Sequence, residues 1–189
     1  NLILGTDLLE HPEKAEGANN IVIVGGGVVG CETAHWLANE YGKNVTVLEM
    51  LPHFMMGVCT ANRGHLLHYL EKSGVRLYNC TKVKALAKDG VYVEQNQSQT
   101  VPDPYNTWQP LLPPNIPNPM EKAIKEEIVE KKIPAELIVL AMGGKADETF
   151  FFEAGEEHLA KEIYNIGDSS RAGRVLEAVR GAYHLAVRI

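Results

Sequence analysis

The chain has few cysteines: Cys31, Cys59 and Cys80, scattered and odd in number. None belongs to a Cys-x-x-Cys. A redox disulfide, a zinc ribbon and a local iron–sulfur site therefore lack support, and free thiols fit a reducing, cytoplasmic setting. No apolar stretch approaches the roughly 18 residues of a membrane span, and the start carries no signal-peptide pattern. There is no basic run and the formal net charge is −6, which argues against a nucleic-acid surface. No Ser-His-Asp or Cys-His arrangement can be argued, and no carboxylate pair has a spacing that implies acid–base work, so no catalytic residue is assigned. His65 and His68 share a helix face but have no evident third ligand, and no metal site is assigned. The chain opens at Asn1 in mid-pattern, without an initiator Met. The expectation is a piece cut from a longer polypeptide. The rest is ordinary globular composition, 45% hydrophobic and 22% charged. Its 189 residues suffice for one domain, or one domain and a fragment.

Against those absences stands one rich stretch. The β-branched run Ile21–Val24 leads into Gly25, Gly26, Gly27, Val28, Val29 and Gly30, which read Gly-x-Gly-x-x-Gly. An amphipathic stretch follows, and a second apolar run, Val45–Leu48, ends on Glu49, nineteen residues beyond Gly30. Strand, tight turn, helix, strand and acid are the context a dinucleotide fingerprint requires. Gly25 allows the tight turn, Gly27 lets the backbone approach a pyrophosphate, and Gly30 lets the helix pack close to the strand. Free N–H groups at the helix start then face the phosphates, with the helix dipole in support. Glu49 is placed to accept both hydrogen bonds of an adenosine ribose. The competing view is a Gly-rich turn with an ordinary acid at a strand end. Met50 and Leu51 follow the acid, and no Arg or Lys is there to receive a 2′-phosphate, which favours NADH over NADPH.

Residues 1–19 read as a connector with a short helix over Leu2–Glu10. The first βαβ unit runs from Ile21 to Glu49, its helix closed by Gly42. Thr60 is expected to cap a helix over 61–72 striped by Leu66, Leu67 and Leu70, with Gly74 ending it. Val75–Tyr78 is a third strand. Val83–Ala87 and Val91–Glu94, joined through Asp89 and Gly90, read as a hairpin. Residues 96–119 hold seven of the ten prolines, around Trp108, Leu111 and Leu112. That loop is expected to be extended, its Trp and Leu side chains covering the sheet edge or the meander. Met50, Met55 and Met56 read as packing residues. Helix-style pairs such as Glu121/Lys125 compete with strand-like Ile128, Val129 and Ile133, and strand is preferred for 127–133. Leu137–Ala141 is a buried strand ending in Met142, Gly143 and Gly144. Ile163–Ile166 is a last short strand before Gly167 and Asp168, and 175–187 is a terminal helix. The fold class expected is α/β: a Rossmann-like parallel sheet with helices on both faces and an inserted antiparallel β-meander.

Three segments together resemble a family. Asn20 to Ala34 (NIVIVGGGVVGCETA) is similar to the NAD(P)H domain of the two-dinucleotide-binding-domain flavoproteins. Leu137 to Gly144 (LIVLAMGG) resembles their closing strand with Ala-Thr-Gly, Met142 standing where Thr is usual. Tyr164 to Asp168 (YNIGD), followed by a helix, resembles their second FAD motif. VGCETA at 29–34, VLEML at 47–51 and GDSSRAGRVLEAV at 167–179 bring it nearest the 2,4-dienoyl-CoA reductase, 2-enoate reductase and NADH:flavin oxidoreductase branch. The resemblance covers nearly all of the chain apart from the Pro-rich loop. It implies a parent protein with an FMN-bearing TIM barrel, a 4Fe-4S cluster and an FAD domain, none of which is complete here. Residues 1–19 would then connect from the FAD domain, 20–157 would be the NAD(P)H-binding domain, and 158–189 would return to the FAD domain.

On the same ground Glu32 would lie near nicotinamide and flavin, against the alternative of a solvated first-turn acid favoured by the dipole. Gly167 and Asp168 would contact FAD. Gly143 and Gly144 follow a strand carboxyl end, where ligands bind in open α/β sheets, or else form a flexible turn. The implied function is orientation of NADH for hydride transfer to FAD, in a parent enzyme reducing enoates or enoyl-CoA-type alkenes. The partners would be the nicotinamide dinucleotide and the remaining FAD and barrel domains, with no nucleic acid and no membrane. Alternatives are a single-flavin NADH oxidase or ferredoxin reductase, an S-adenosylmethionine-dependent methyltransferase, which also uses a Gly-rich βα turn and a ribose-binding acid, and a regulatory nucleotide sensor.

Overall fold

The computed structural model describes residues 1–108, 112, 116, 118–120 and 122–189. They form two compact units, Asn1–Met142 and Gly143–Ile189. In the first unit, five parallel strands make the central sheet: β1 (Leu2–Leu4), β2 (Asn20–Val24), β3 (Asn44–Leu48), β4 (Arg76–Tyr78) and β8 (Leu137–Leu140), in the order β1-β8-β2-β3-β4. β2 lies in the middle, with Ile21 beside Val45 on one side and Leu137 on the other. Its apolar residues are buried on both faces, as expected of a run rich in Val and Ile at the centre of a parallel sheet.

Alternate residues divide the core. Ile21, Ile23, Val45, Val47, Leu77 and Val139 face one layer, built with Leu8 of α1 (Gly5–Glu10), Cys31, Ala34 and Leu37 of α2 (Val28–Tyr41), and Leu67 and Leu70 of α3 (Thr60–Lys72). Val22, Val24, Leu48 and Ile138 face the other, against Val91, Val93 and Ile133. Those three belong to an antiparallel sheet of β5 (Thr81–Ala87), β6 (Gly90–Asn96) and β7 (Ile128–Pro134). The parallel sheet covered on both faces is thus present. Among the described residues of this unit the second cover is the meander, where a helix was expected. Lys132 closes the β5–β6 turn by an ion pair with Asp89 at 2.5 Å. Strand, the preferred reading of 127–133, is what forms; Glu121 of the competing helix pairing lies outside the described residues.

Several expectations need correction. Leu2–Glu10 is not one helix: Leu2–Leu4 pair with β8 as an edge strand, and the helix starts at Gly5. Thr60 is the first helical residue rather than the cap; Cys59 precedes the helix and makes no side-chain cap bond. Trp108 is 60% exposed and Leu112 39%, so neither is a buried cover, and Leu111 lies outside the described residues. Tyr105 covers the sheet edge instead. Its hydroxyl accepts the Leu77 N–H at 3.2 Å and donates to the Val75 carbonyl at 2.5 Å, so a side chain takes the place of a strand along β4. Of the three methionines read as packing, Met55 is buried, whereas Met50 and Met56 are exposed.

The second unit contains α4 (Thr149–Glu156), which the sequence reading missed, a 3-10 turn at Gly167–Ser169 and α5 (Val175–Ala186). Ile163–Ile166 does not form the expected strand. No strand lies among the described residues of its unit to pair with it, and an unpaired strand is not a stable element. Ala154 is the only buried apolar residue described there, while Phe150, Val175, Val179 and Tyr183 are more than half exposed. At the head of α5, Glu177 accepts the Arg174 backbone N–H at 3.1 Å and the Arg174 guanidinium at 2.6 Å. The guanidinium hydrogen bond pulls the Glu177 carboxyl from its ordinary 4.5 to about 2. A folded value below the unfolded one gives stability that is present above pH 4.5 and is lost as the pH falls through about 2. A carbon-13 titration of the Glu177 carboxyl should show its midpoint near 2. A midpoint at 4.5, its ordinary value, would show the pair unformed in solution.

Candidate functional site: a glycine turn and its carboxylate

β2 ends at Val24, and the Gly25 N–H is drawn sideways onto the Leu48 carbonyl at 2.9 Å. Gly25 has φ +113, and a Cβ there would lie 2.4 Å from the Ala141 carbonyl oxygen. Only glycine accepts both conditions. A Cβ on Gly30 would lie 2.1 Å from the Gly25 oxygen, so the helix approaches the strand end as closely as backbone allows. Gly27 differs: nothing lies within 4 Å of its Cβ position. It caps α2 without a side-chain bond, leaving Val28 and Val29 to open the first turn toward that space. An uncapped helix start with an open glycine beside it suits an anion.

Glu49 sits across this turn. Its backbone is fixed by bonds to Tyr78 and Thr81, both 2.8 Å. Its carboxylate accepts the Gly26 N–H on Oε2 and the Leu51 N–H on Oε1, each at 2.8 Å. An ionised carboxylate has about four lone-pair sites, so each oxygen retains one for a ligand hydroxyl. Met50 is 67% exposed beside it. Gly25 through Gly30, Glu49 and Met50 are thereby brought together. Glu32 lies on α2, four residues into the helix, and is exposed. Gly143, Gly144, Gly167 and Asp168 belong to the second unit. There Gly143 and Gly167 have φ +85 and +68, and the Asp168 carboxylate accepts the Gly173 N–H at 3.2 Å. A cavity of about 740 Å³ in that unit is lined by Gly167, Arg171, Arg174, His184 and Arg188.

Sequence reasoning missed what stands behind the turn. Phe54 is fully buried, and a Cβ on Gly26 would lie 2.4 Å from its ring. Met55 donates its N–H to the Gly26 carbonyl at 2.8 Å from a left-handed conformation, φ +52. Arg63 is buried under them. One signal was available: Arg63 precedes Leu67 and Leu70 by four and seven residues, placing a charge on the apolar stripe of α3. The Cys31 thiol lies 3.6 Å from the same Gly26 carbonyl. Burial, reinforced by Glu49 and Glu32, pushes it up to about 12, so it stays protonated at neutral pH. The His65 and His68 rings pack against Tyr69, at 4.6 and 5.7 Å between centroids.

Residues 5–180 match the family of pyridine nucleotide-disulphide oxidoreductases, and the chain belongs to that family. It is a Rossmann-like domain of the flavin-dependent pyridine nucleotide oxidoreductases, and this removes the methyltransferase alternative. Over 183 residues it is 26% identical to an NADH oxidase of Thermoanaerobacter brockii, covering 97% of this chain and 23% of that protein. A cinnamate reductase of Clostridium sporogenes is 22% identical over 180 residues, 94% of this chain and 22% of the other. A solved 2-naphthoyl-CoA reductase in complex with 2-naphthoyl-CoA shares the fold, with a TM-score of 0.72 and 24% identity over 100% of this chain and 23% of that one. The chain spans less than a quarter of the length of these relatives. Among the described residues no helix is long and apolar enough to cross a membrane.

Proposed function

We propose that this chain binds NADH and orients its nicotinamide for hydride transfer to an FAD held largely by other parts of a longer protein. The observation that carries the reading is the Glu49 carboxylate, pinned on both oxygens beside the open Gly27 turn. These residues fit a dinucleotide: N–H groups of Gly27, Val28 and Val29 for the pyrophosphate, and Glu49 for the ribose, with Met50 beside it. Glu32 would lie toward the nicotinamide. When bound, NADH supplies a hydride from its C4; the chain contributes binding and orientation, a proximity effect. Residues 158–189 would return to the flavin domain, with Gly143, Gly144, Gly167 and Asp168 toward the FAD. The apolar side chains left exposed on α4 and α5 support a surface made to be covered.

The parent enzyme would reduce enoates or enoyl-CoA-type alkenes with FMN and a 4Fe-4S cluster elsewhere in it, as the likeness to a cinnamate reductase and a 2-naphthoyl-CoA reductase supports. The likeness to an NADH oxidase supports a second reading, a parent enzyme that oxidises NADH without an alkene substrate. Titrating NADH, NADPH and S-adenosylmethionine into the 189-residue chain tests the binding step. NADH should bind most tightly. The chain by itself should carry no stoichiometric flavin spectrum, since a site missing most of its contacts has little affinity. Heat with S-adenosylmethionine and none with NADH would overturn the reading.

A further inference from the structure

Two side chains tie the connection between β6 and β7 to the loop that backs the glycine turn. Arg63, 2% exposed, donates from Nε to the Phe54 carbonyl and from Nη1 to the Asn106 carbonyl, both at 3.0 Å. Asn79, 4% exposed, bridges the same two segments, its Nδ2 donating to the Pro52 carbonyl at 2.7 Å and the Pro102 carbonyl at 2.9 Å. The loop is therefore held at Pro52 and Phe54 by groups that also hold Pro102 and Asn106.

That loop needs gripping. Met55 is a non-glycine residue at φ +52 with its side chain buried, a conformation that persists only where the surroundings impose it. Its N–H and the Phe54 ring are what meet Gly26 from behind. In front, the Gly26 N–H holds Glu49 Oε2. A continuous series of contacts thus runs from Arg63 through Phe54 and Met55 to Gly26 and the carboxylate. A buried arginine is an expensive way to fill the apolar stripe of α3, where Leu or Met would pack at lower cost. Among the described residues no carboxylate pairs with it; its hydrogen bonds to Phe54 and Asn106 both go to main-chain carbonyls.

We propose that Arg63 is a positioning residue for the nucleotide: by holding Phe54 and Met55 against Gly26, it keeps the Glu49 carboxylate set for the adenosine ribose. This rests on NADH binding at the glycine turn and names a residue outside that turn which sets its affinity. The test uses the full-length protein. Arg63→Met should raise the Kd for NADH about 10-fold, while the rate of flavin reduction at saturating NADH stays within about twofold. Arg63→Lys, which reaches a single carbonyl, should fall between. In a Glu49→Ala background, Arg63→Met should change the Kd less than about twofold, because coupled residues are not additive. Tyr105→Phe removes the bonds along β4 but spares the Arg63 bridge, so it should lower Tm and leave the Kd unchanged. If Arg63→Met does not fold, Arg63→Lys takes its place in both comparisons. A wild-type Kd in the Arg63 variant, or a full multiplicative loss in the double variant, would overturn the proposal. A wild-type protein that fails to bind NADH would instead strike the binding reading itself.

Discussion

Glu49→Ala should weaken NADH binding by about 10- to 100-fold and NADPH binding far less. Two charge-assisted hydrogen bonds proposed to the ribose hydroxyls would be lost, each worth about 1.5–3 kcal/mol when well made and less where solvent reaches them, and each 1.4 kcal/mol is about a factor of ten. The structure adds a second loss. The same carboxylate fixes the N–H groups of Gly26 and Leu51, so its removal also loosens the turn. For NADPH the variant removes a repulsion between the acid and the 2′-phosphate, which offsets part of the loss. Glu49→Arg should go further and shift preference toward NADPH. Glu49→Gln is a sharp comparison: it keeps the shape but turns one end into a donor facing a backbone N–H, so it should weaken NADH binding nearly as much as Ala. Calorimetric titration of both nucleotides into the three variants gives the answer. An unchanged NADH affinity in Glu49→Ala would make Glu49 a strand-end acid whose only work is to hold the loop.

The glycines should separate into two behaviours. Gly30→Ala puts a methyl carbon 2.1 Å from the Gly25 carbonyl oxygen. The obstacle is backbone at a strand end and has no rotamer by which to yield. Overpacking of this kind costs about 1–3 kcal/mol or more, and at about 2–4 °C per kcal/mol Tm should fall by several degrees. Gly27→Ala meets nothing within 4 Å, so Tm should stay within about 1 °C. Its methyl group would instead occupy the space proposed for a pyrophosphate at the helix start, and NADH affinity should drop about 10-fold or more. Thermal unfolding and titration on the two proteins give opposite patterns if the turn has the role proposed. Equal Tm losses with equal Kd would mean that both glycines serve packing alone.

The βαβ unit was readable because its determinants are local. β-Branched runs buried on both faces, a turn whose glycines answer to backbone geometry, and an acid at the next strand end all lie within thirty residues of one another in sequence. The hairpin and its return strand were readable for the same reason, since alternation survives in Val91 and Val93 and again up to Ile133. Ile163–Ile166 has the composition of a strand yet lacks a partner in its unit, because composition sets the propensity for a strand while pairing requires another chain segment. Helix α4 was missed since its three consecutive phenylalanines, Phe150 to Phe152, show no helical period.

By itself the sequence determined the α/β class, the position of the glycine turn, the acid that faces it and the likeness to a flavoprotein family, all through short-range patterns with a direct physical cause. Tertiary structure alone decided that the meander covers the second face of the sheet, that Tyr105 closes the edge of β4, and that Arg63 is buried behind Phe54 and Met55. Each of these depends on groups tens of residues apart, and a side chain's exposure, partner or left-handed backbone is set by what the rest of the chain brings against it.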